Sequence, residues 1–276
     1  MGKFDGILLC TDLDATLLND EHKVSEENIK AIDYFKSEGG MFTFVTGRVP
    51  NGARLMLEYV KPNAPVVTFN GAGFYDFEKE ELLWGTYLDN KAKKIIEYVE
   101  SRIRDLGLVV CTDEKVYFPY VNQWVDDYHK LENFPLDTTP YHDINEKWKK
   151  ALFVCSVEDM KTIRKLVSES GYSDDFDLVQ SCAYYYEILP KGSTKGTGLE
   201  RLAELLGIDR SRIIACGDNE NDMPMIEYAG VGVAVENAID ALKKVADIVT
   251  VSNNEHAISK IIHDLDEGKI VIKNIG

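Results

Sequence analysis

Long apolar runs are missing from this chain of 276 residues. None approaches the roughly 18 consecutive apolar residues that a membrane-spanning helix needs. The opening Met1-Gly2-Lys3-Phe4-Asp5 leads straight into a strand-like segment instead of a secretion signal, and residue 6 is glycine where an N-myristoylation motif needs Ser or Thr. A cytoplasmic protein is expected. Positive charge is also scarce: 31 Lys and Arg against 47 Asp and Glu leave a net charge of −16, which repels nucleic acid and anionic membranes at long range. Those partners are disfavoured, and an anionic substrate would have to meet a local cluster of cations, backbone N–H groups or a metal. Cysteine pairing is absent as a pattern. The five cysteines are an odd number, widely spaced and mostly set in apolar runs, which suits buried thiols better than disulfides. No Cys or His pair has zinc-ligand spacing, and the five histidines are scattered. Nothing marks an obligate protein partner. With 45% apolar residues and no long low-complexity tract, the chain can bury a core in one or two domains.

What is there is a repeating alternation. Ile7-Leu8-Leu9-Cys10 reads as a strand, followed by a helical pattern through Ile29, Ile32 and Phe35 that stops at Gly39-Gly40. Met41 to Val45 and Val66 to Phe69 are two further apolar runs, with a helical stretch from about Gly52 to Tyr59 between them. Continuous hydrophobicity of this kind belongs to parallel strands covered on both faces. The signature returns late in the chain: Leu199, Leu202, Leu205 and Leu206 form a helical stripe ended by Gly207, and strands are predicted at Arg212 to Cys216, Val231 to Val235 and Ile248 to Thr250. Between about residues 82 and 187 aromatics are denser, two helices run through Ile95, Ile96 and Val99 and through Met160, Ile163 and Val167, and each is flanked by strand-like runs. The fold class expected is α/β, a Rossmann-like, doubly wound parallel sheet formed by residues 1–82 and 188–276, with an α+β cap inserted at residues 83–187.

Ligands of open parallel sheets bind at the carboxyl ends of the strands. Asp12-Leu13-Asp14 follows the first strand, Thr46-Gly47-Arg48 the second, Asn70-Gly71-Ala72 the third, and Gly217-Asp218 the strand that ends at Cys216. Residues two apart in extended chain point the same way, so Asp12 and Asp14 can face one site. A lone D-x-D also serves as a helix cap or turn. Here, however, Asp12-Leu13-Asp14-Ala15-Thr16-Leu17 resembles the first motif of the haloacid dehalogenase superfamily, D-x-D-G-T-L. Val45-Thr46-Gly47-Arg48 is similar to its second motif, the segment from Lys191 to Gly196 to its lysine motif, and Gly217-Asp218-Asn219-Glu220-Asn221-Asp222 to its last, G-D-x-x-N-D. All four stand in the family order. The position of the insert, together with Asn70-Gly71-Ala72 and Glu187-Ile188-Leu189-Pro190, resembles the Cof-like branch with its large α+β cap, many of whose members are sugar-phosphate phosphatases.

The resemblance implies a phosphatase that acts on a small phosphorylated metabolite with Mg2+ as cofactor. Asp12 would attack phosphorus and Asp14 would serve as general acid, then base. The Mg2+ ligands would be the carboxylates of Asp12 and Asp218 and the backbone carbonyl of Asp14. Lys195, Thr46, Gly47, Arg48 and Asn221 would hold the phosphoryl group or substrate, and Asp222 would support the metal site or Lys195. The charge logic agrees, because a phosphate dianion is attacked by a carboxylate only where cations neutralise the site. The family's usual glycine after the second aspartate is Ala15 here, which costs on the order of 1 kcal/mol if that position needs positive φ. The cap would read the leaving group, with hinges near residues 82–86 and 188–192, and Tyr117, Tyr120, Gln123, Trp124 and Tyr184 to Tyr186 are its candidate contacts. Asp14 favours phosphoryl transfer over dehalogenation. A phosphomutase, a non-catalytic sugar-phosphate binder and a receiver-like signalling protein are the alternatives. A receiver would carry its phospho-acceptor two strands later and would lack the insert.

Overall fold

A computed structural model describes residues 2–131 and 133–272. The chain forms two compact units, Met1–Leu83 with Thr194–Gly276, and Trp84–Ser193. In chain order the first unit opens with β1 (Leu8–Thr11), α1 (Glu26–Ser37), β2 (Met41–Phe44), α2 (Pro50–Arg54), β3 (Val66–Thr68) and β4 (Gly73–Asp76), and the unit ends within β5 (Glu81–Gly85). The insert carries α3 (Lys91–Glu100), β6 (Gly107–Cys111), β7 (Val116–Tyr120), α4 (Gln123–Leu131), β8 (Lys150–Val154), α5 (Val157–Glu169), β9 (Phe176–Cys182) and β10 (Tyr185–Pro190). The chain then returns through α6 (Lys195–Leu206), β11 (Ile213–Gly217), α7 (Met223–Tyr228), β12 (Val231–Ala234), α8 (Asp240–Val245), β13 (Ile248–Val249) and α9 (Ala257–Asp266).

In the first unit the strands lie in the order β13-β12-β11-β1-β2, every pairing parallel, and a parallel bridge from Val45 to Val67 brings β3 alongside the end of β2. The central strands read Leu-Leu-Cys-Thr and Ile-Ile-Ala-Cys-Gly and are buried throughout, as both-face coverage by helices requires. The register sets Thr11 beside Phe44 on one side and Cys216 on the other, so the residues that follow these three strands emerge at one rim. The sheet is the doubly wound parallel arrangement expected from the hydrophobic runs.

The insert is an antiparallel sheet ordered β7-β6-β8-β10-β9. Alternate residues Leu108, Val110, Ala151, Phe153, Tyr186 and Ile188 pack with Ile95, Ile96, Val99 of α3 and Met160, Ile163, Val167 of α5, the period-two and period-3.6 faces meeting as binary patterning demands. Residues 188–190 belong to this sheet, since β10 pairs with β9 as far as Pro190; the insert therefore reaches beyond residue 187. Helix α4 and the β4–β5 hairpin were not legible. The helical stretch expected from Gly52 to Tyr59 is a short α-helix that tightens into a turn of 3-10 geometry at Leu55–Glu58.

Candidate active site

Asp12 follows β1 directly, and its N–H donates to the Cys216 carbonyl at 2.9 Å, which pins the loop after β1 to the end of β11. Asp218 follows β11, and its Oδ1 accepts from the Thr16 hydroxyl at 3.0 Å. Lys195 is the first residue of α6, a helix capped at Thr194 by a reciprocal pair with Thr197. The Lys195 side chain is fully buried, and its Nζ lies 2.8 Å from Asp12 Oδ1 and 2.6 Å from Asp222 Oδ1. The other Asp222 oxygen accepts from the backbone N–H groups of Asp218 and Asn219 at 2.9 and 3.0 Å. Both Asp222 oxygens are thus engaged, and the residue locks the Asp218 loop to the lysine.

One carboxylate oxygen from each of Asp12, Asp218 and Asp222 lies within 4.8 Å of the others. Asp12 and Asp222 share one ammonium, and the Asp218 carboxylate lies beside them. Burial raises the Asp12 pKa well above the ordinary range; Lys195 opposes this and the charges of Asp222, Asp218 and Asp14 add to it. Asp218 is pushed up to about 7 by burial and by Asp222, against the pull of Lys195 and the Thr16 hydroxyl. Lys195 goes up, the two carboxylates overriding its own desolvation. A cluster of hard oxygen donors with more negative than positive charge suits a divalent cation such as Mg2+, which prefers oxygen ligands.

The chain bends sharply at Leu13–Leu17, where Asp14 remains extended (φ −71°, ψ 131°) and Ala15 is left-handed (φ 54°, ψ 13°). Ala15 therefore occupies the conformation for which glycine is the natural residue. Its carbonyl accepts from Asn237 Nδ2 at 2.8 Å. The Asp14 carboxylate is turned toward Arg48 and held at both oxygens, Nε to Oδ2 at 3.0 Å and Nη2 to Oδ1 at 2.6 Å. Crowding by protein atoms pushes the Asp14 pKa upward, but the two hydrogen bonds and the charge of Arg48 outweigh it and leave the carboxyl below its usual range. Arg48, expected to hold the phosphoryl group or substrate, here pairs with a carboxylate of the site itself.

Thr46, after β2, is buried, and its Oγ1 accepts from the Arg48 N–H at 3.1 Å. Gly47 stands beside the Asn70 carboxamide. Asn221 donates from Nδ2 to Asn70 Oδ1 at 3.0 Å, while its own Oδ1 is buried without a donor. Every expected site residue lies in the first unit, at the carboxyl ends of β1, β2 and β11 or at the start of α6. Thr16, the threonine of the first motif, touches the site as well; so does Asn237, and nothing in its spacing marked it. In the insert, Tyr117 and Tyr186 are core residues, whereas Tyr184 is partly exposed and stacks on Trp124 with ring centroids 5.0 Å apart.

A profile of haloacid dehalogenase-like hydrolases matches residues 9–262. The chain belongs to this family. Among curated haloacid dehalogenase-like relatives, 5-amino-6-(5-phospho-D-ribitylamino)uracil phosphatase YitU of Bacillus subtilis (strain 168) is 30% identical over 269 residues, 93% of this chain and 96% of that protein. The putative phosphatase YxeH of the same organism is 30% identical over 272 residues, covering 94% and 97%. The structure of TM0651 from Thermotoga maritima superposes with a TM-score of 0.80 at 28% identity, covering 98% of this chain and 99% of that one. The likeness spans both units, so the Cof-like organisation, a parallel core interrupted by a cap, holds for the whole chain. Among the described residues no helix is long and apolar enough to cross a membrane.

Proposed function

We propose that this haloacid dehalogenase-like hydrolase is a Mg2+-dependent phosphatase that hydrolyses a small phosphate monoester of a sugar or polyol through an aspartyl-phosphate on Asp12. The single observation that carries the reading is the convergence of Asp12, Asp218 and buried Lys195 at one rim of the sheet, with carboxylate oxygens within 4.8 Å. The phosphatase names of the relatives, one of them acting on a phosphorylated ribitylamino compound, point to the same reaction and to a polyol-like leaving group.

An oxygen of the Asp12 carboxylate forms a bond to phosphorus as the bond from phosphorus to the leaving oxygen breaks, with Lys195 neutralising charge beside it. Asp14 supplies a proton to the leaving oxygen. In the second half-reaction a water oxygen attacks phosphorus, Asp14 takes the water's proton, and the Asp12 carboxylate departs from inorganic phosphate. Because Asp14 is held ionised by Arg48, it must part from the guanidinium and acquire a proton before it can act as the acid. Thr46, Gly47 and Asn221 flank the phosphoryl group, and Arg48 is available to substrate once released. Mg2+, held by the carboxylates of Asp12 and Asp218 and the Asp14 carbonyl, would neutralise phosphate charge. Asp222 keeps Lys195 and the Asp218 loop in register.

The test is a panel of phosphorylated sugars, polyols and nucleotides assayed with Mg2+, with Asp12→Asn as the blank. Mg2+-dependent release of inorganic phosphate that vanishes in Asp12→Asn is expected, and equal release by both proteins would refute the assignment of Asp12. Transfer of the phosphoryl group to sugar instead of water would identify a phosphomutase.

A further inference from the structure

The turn after β3 holds an unusual backbone. Three consecutive residues take positive φ: Phe69 at 54°, Asn70 at 54° and Gly71 at 98°. Glycine adopts such angles freely and asparagine tolerates them, but a bulky aromatic residue there is an outlier that its surroundings must enforce. The enforcement is visible. The Phe69 N–H donates to the Arg48 carbonyl and the Asn70 N–H to the Thr46 carbonyl, both at 3.0 Å. At Gly71 an added Cβ would sit 1.9 Å from the carbonyl oxygen of Thr194, the cap of the helix that carries Lys195. The turn is wedged between the Thr46-Gly47-Arg48 loop and the start of α6.

Asn70 extends this wedge to a third loop. It is buried, and its Oδ1 accepts from Asn221 Nδ2 at 3.0 Å. Its carboxamide also fills the place a side chain on residue 47 would take, since a Cβ there would lie 3.0 Å from both Asn70 Oδ1 and Nδ2. A turn needs only a residue that accepts left-handed geometry, for which glycine suffices. A buried carboxamide reaching two other loops is more than a turn requires.

We propose that Asn70 is a positioning residue of the phosphate site: its carboxamide sets the orientation of Asn221 and holds the Thr46-Gly47-Arg48 loop in place before substrate arrives. The inference rests on the phosphatase reading for its kinetic consequences, but not for its effect on anion binding.

The experiment compares full-length wild type with Asn70→Gly, Asn70→Asp, Asn221→Ala and the Asn70→Gly/Asn221→Ala double variant. Thermal midpoint, kcat and KM on the best phosphomonoester, and the affinity for tungstate, a phosphate mimic, are measured for each. Glycine relieves the left-handed strain at residue 70 but leaves Asn221 Nδ2 without its acceptor and widens the unfolded ensemble, so Asn70→Gly should show a lower thermal midpoint than wild type while staying folded at the assay temperature. Its kcat/KM should nevertheless fall roughly 10- to 100-fold, the scale expected of a misplaced binding group, and tungstate should bind about tenfold or more weakly. In the Asn221→Ala background the same change should cost less than about threefold, because the two residues act as one unit. Asn70→Asp keeps the acceptor and the left-handed tolerance, and should recover most of kcat while raising KM through its charge. A glycine variant with wild-type tungstate affinity and turnover would overturn the proposal, as would penalties that simply multiply in the double variant. Should the glycine variant not fold, a kcat for Asn70→Asp reduced 10-fold or more would overturn it equally. If wild type turns over no phosphomonoester, the phosphatase reading fails, and the tungstate affinities still decide the role of Asn70.

Discussion

Replacing Ala15 by glycine isolates one energetic term. Ala15 sits at φ 54°, ψ 13°, where an L-residue with a Cβ is disfavoured by roughly 1–2 kcal/mol relative to right-handed backbone. Glycine removes that cost but widens the unfolded ensemble, which costs about 0.5–1 kcal/mol. No burial is lost, since the Ala15 side chain is exposed, and the bond from Asn237 ends on the backbone carbonyl, which glycine keeps. The difference leaves Ala15→Gly more stable by about 0.5–1 kcal/mol. Urea unfolding should show a higher midpoint at unchanged slope, and a phosphatase assay should find turnover equal to or above that of wild type, because the loop carrying Asp14 is relieved and not rebuilt. Ala15→Val should move the midpoint the other way, a β-branched residue being the harder to place at positive φ. A glycine variant that unfolds at lower urea than wild type, or a valine variant that matches it, would refute the strain reasoning.

Other consequences follow from the same geometry. Asp12→Asn should lose activity by about 10³-fold or more, yet in metal-free protein it should unfold later than wild type. The Asp12 pKa is raised in the folded state, so its charge opposes folding at neutral pH; an earlier unfolding would contradict this. Adding Mg2+ to wild type at about 100 times its dissociation constant should stabilise the protein by about 2.7 kcal/mol, chelation should abolish turnover, and neither effect should survive loss of both Asp12 and Asp218 carboxylates. Asp222→Ala strands buried Lys195 and frees the Asp218 loop, and should destabilise by roughly 3 kcal/mol, read by urea unfolding. In Arg48→Ala the Asp14 carboxyl, now held down by that guanidinium, should titrate at higher pH by carbon-13 NMR, and an unmoved titration would mean that the ion pair is not formed in solution.

The strands of the first unit were legible because parallel strands buried on both faces must be apolar at every position; Leu8–Thr11 and Ile213–Gly217 fall within a residue of the runs that announced them. Helix α5 declared itself through Met160, Ile163 and Val167. Helix α4 did not, since its stripe mixes Val125 with Trp124 and Tyr128, residues that a strand accommodates as well. The β4–β5 hairpin was hidden for a similar reason: its strands are partly exposed, and pairing rather than burial defines them.

From the primary structure alone came the order of motifs and the identity of the acidic residues, the lysine and the odd alanine, because spacing along a chain and side-chain chemistry are local properties. Which of those groups touch was decided only by tertiary packing. Asp14 could be placed beside Asp12, but its pairing with Arg48 depends on how the loops after β1 and β2 leave the sheet. Asp222 could be assigned a supporting role, but that both its oxygens are consumed by Lys195 and two backbone N–H groups depends on where α6 begins relative to β11. The left-handed backbone of Phe69 and Asn70 is likewise imposed from outside, by backbone hydrogen bonds to a loop more than 20 residues earlier, and long-range constraints of that sort leave no periodic trace in the residues they bend.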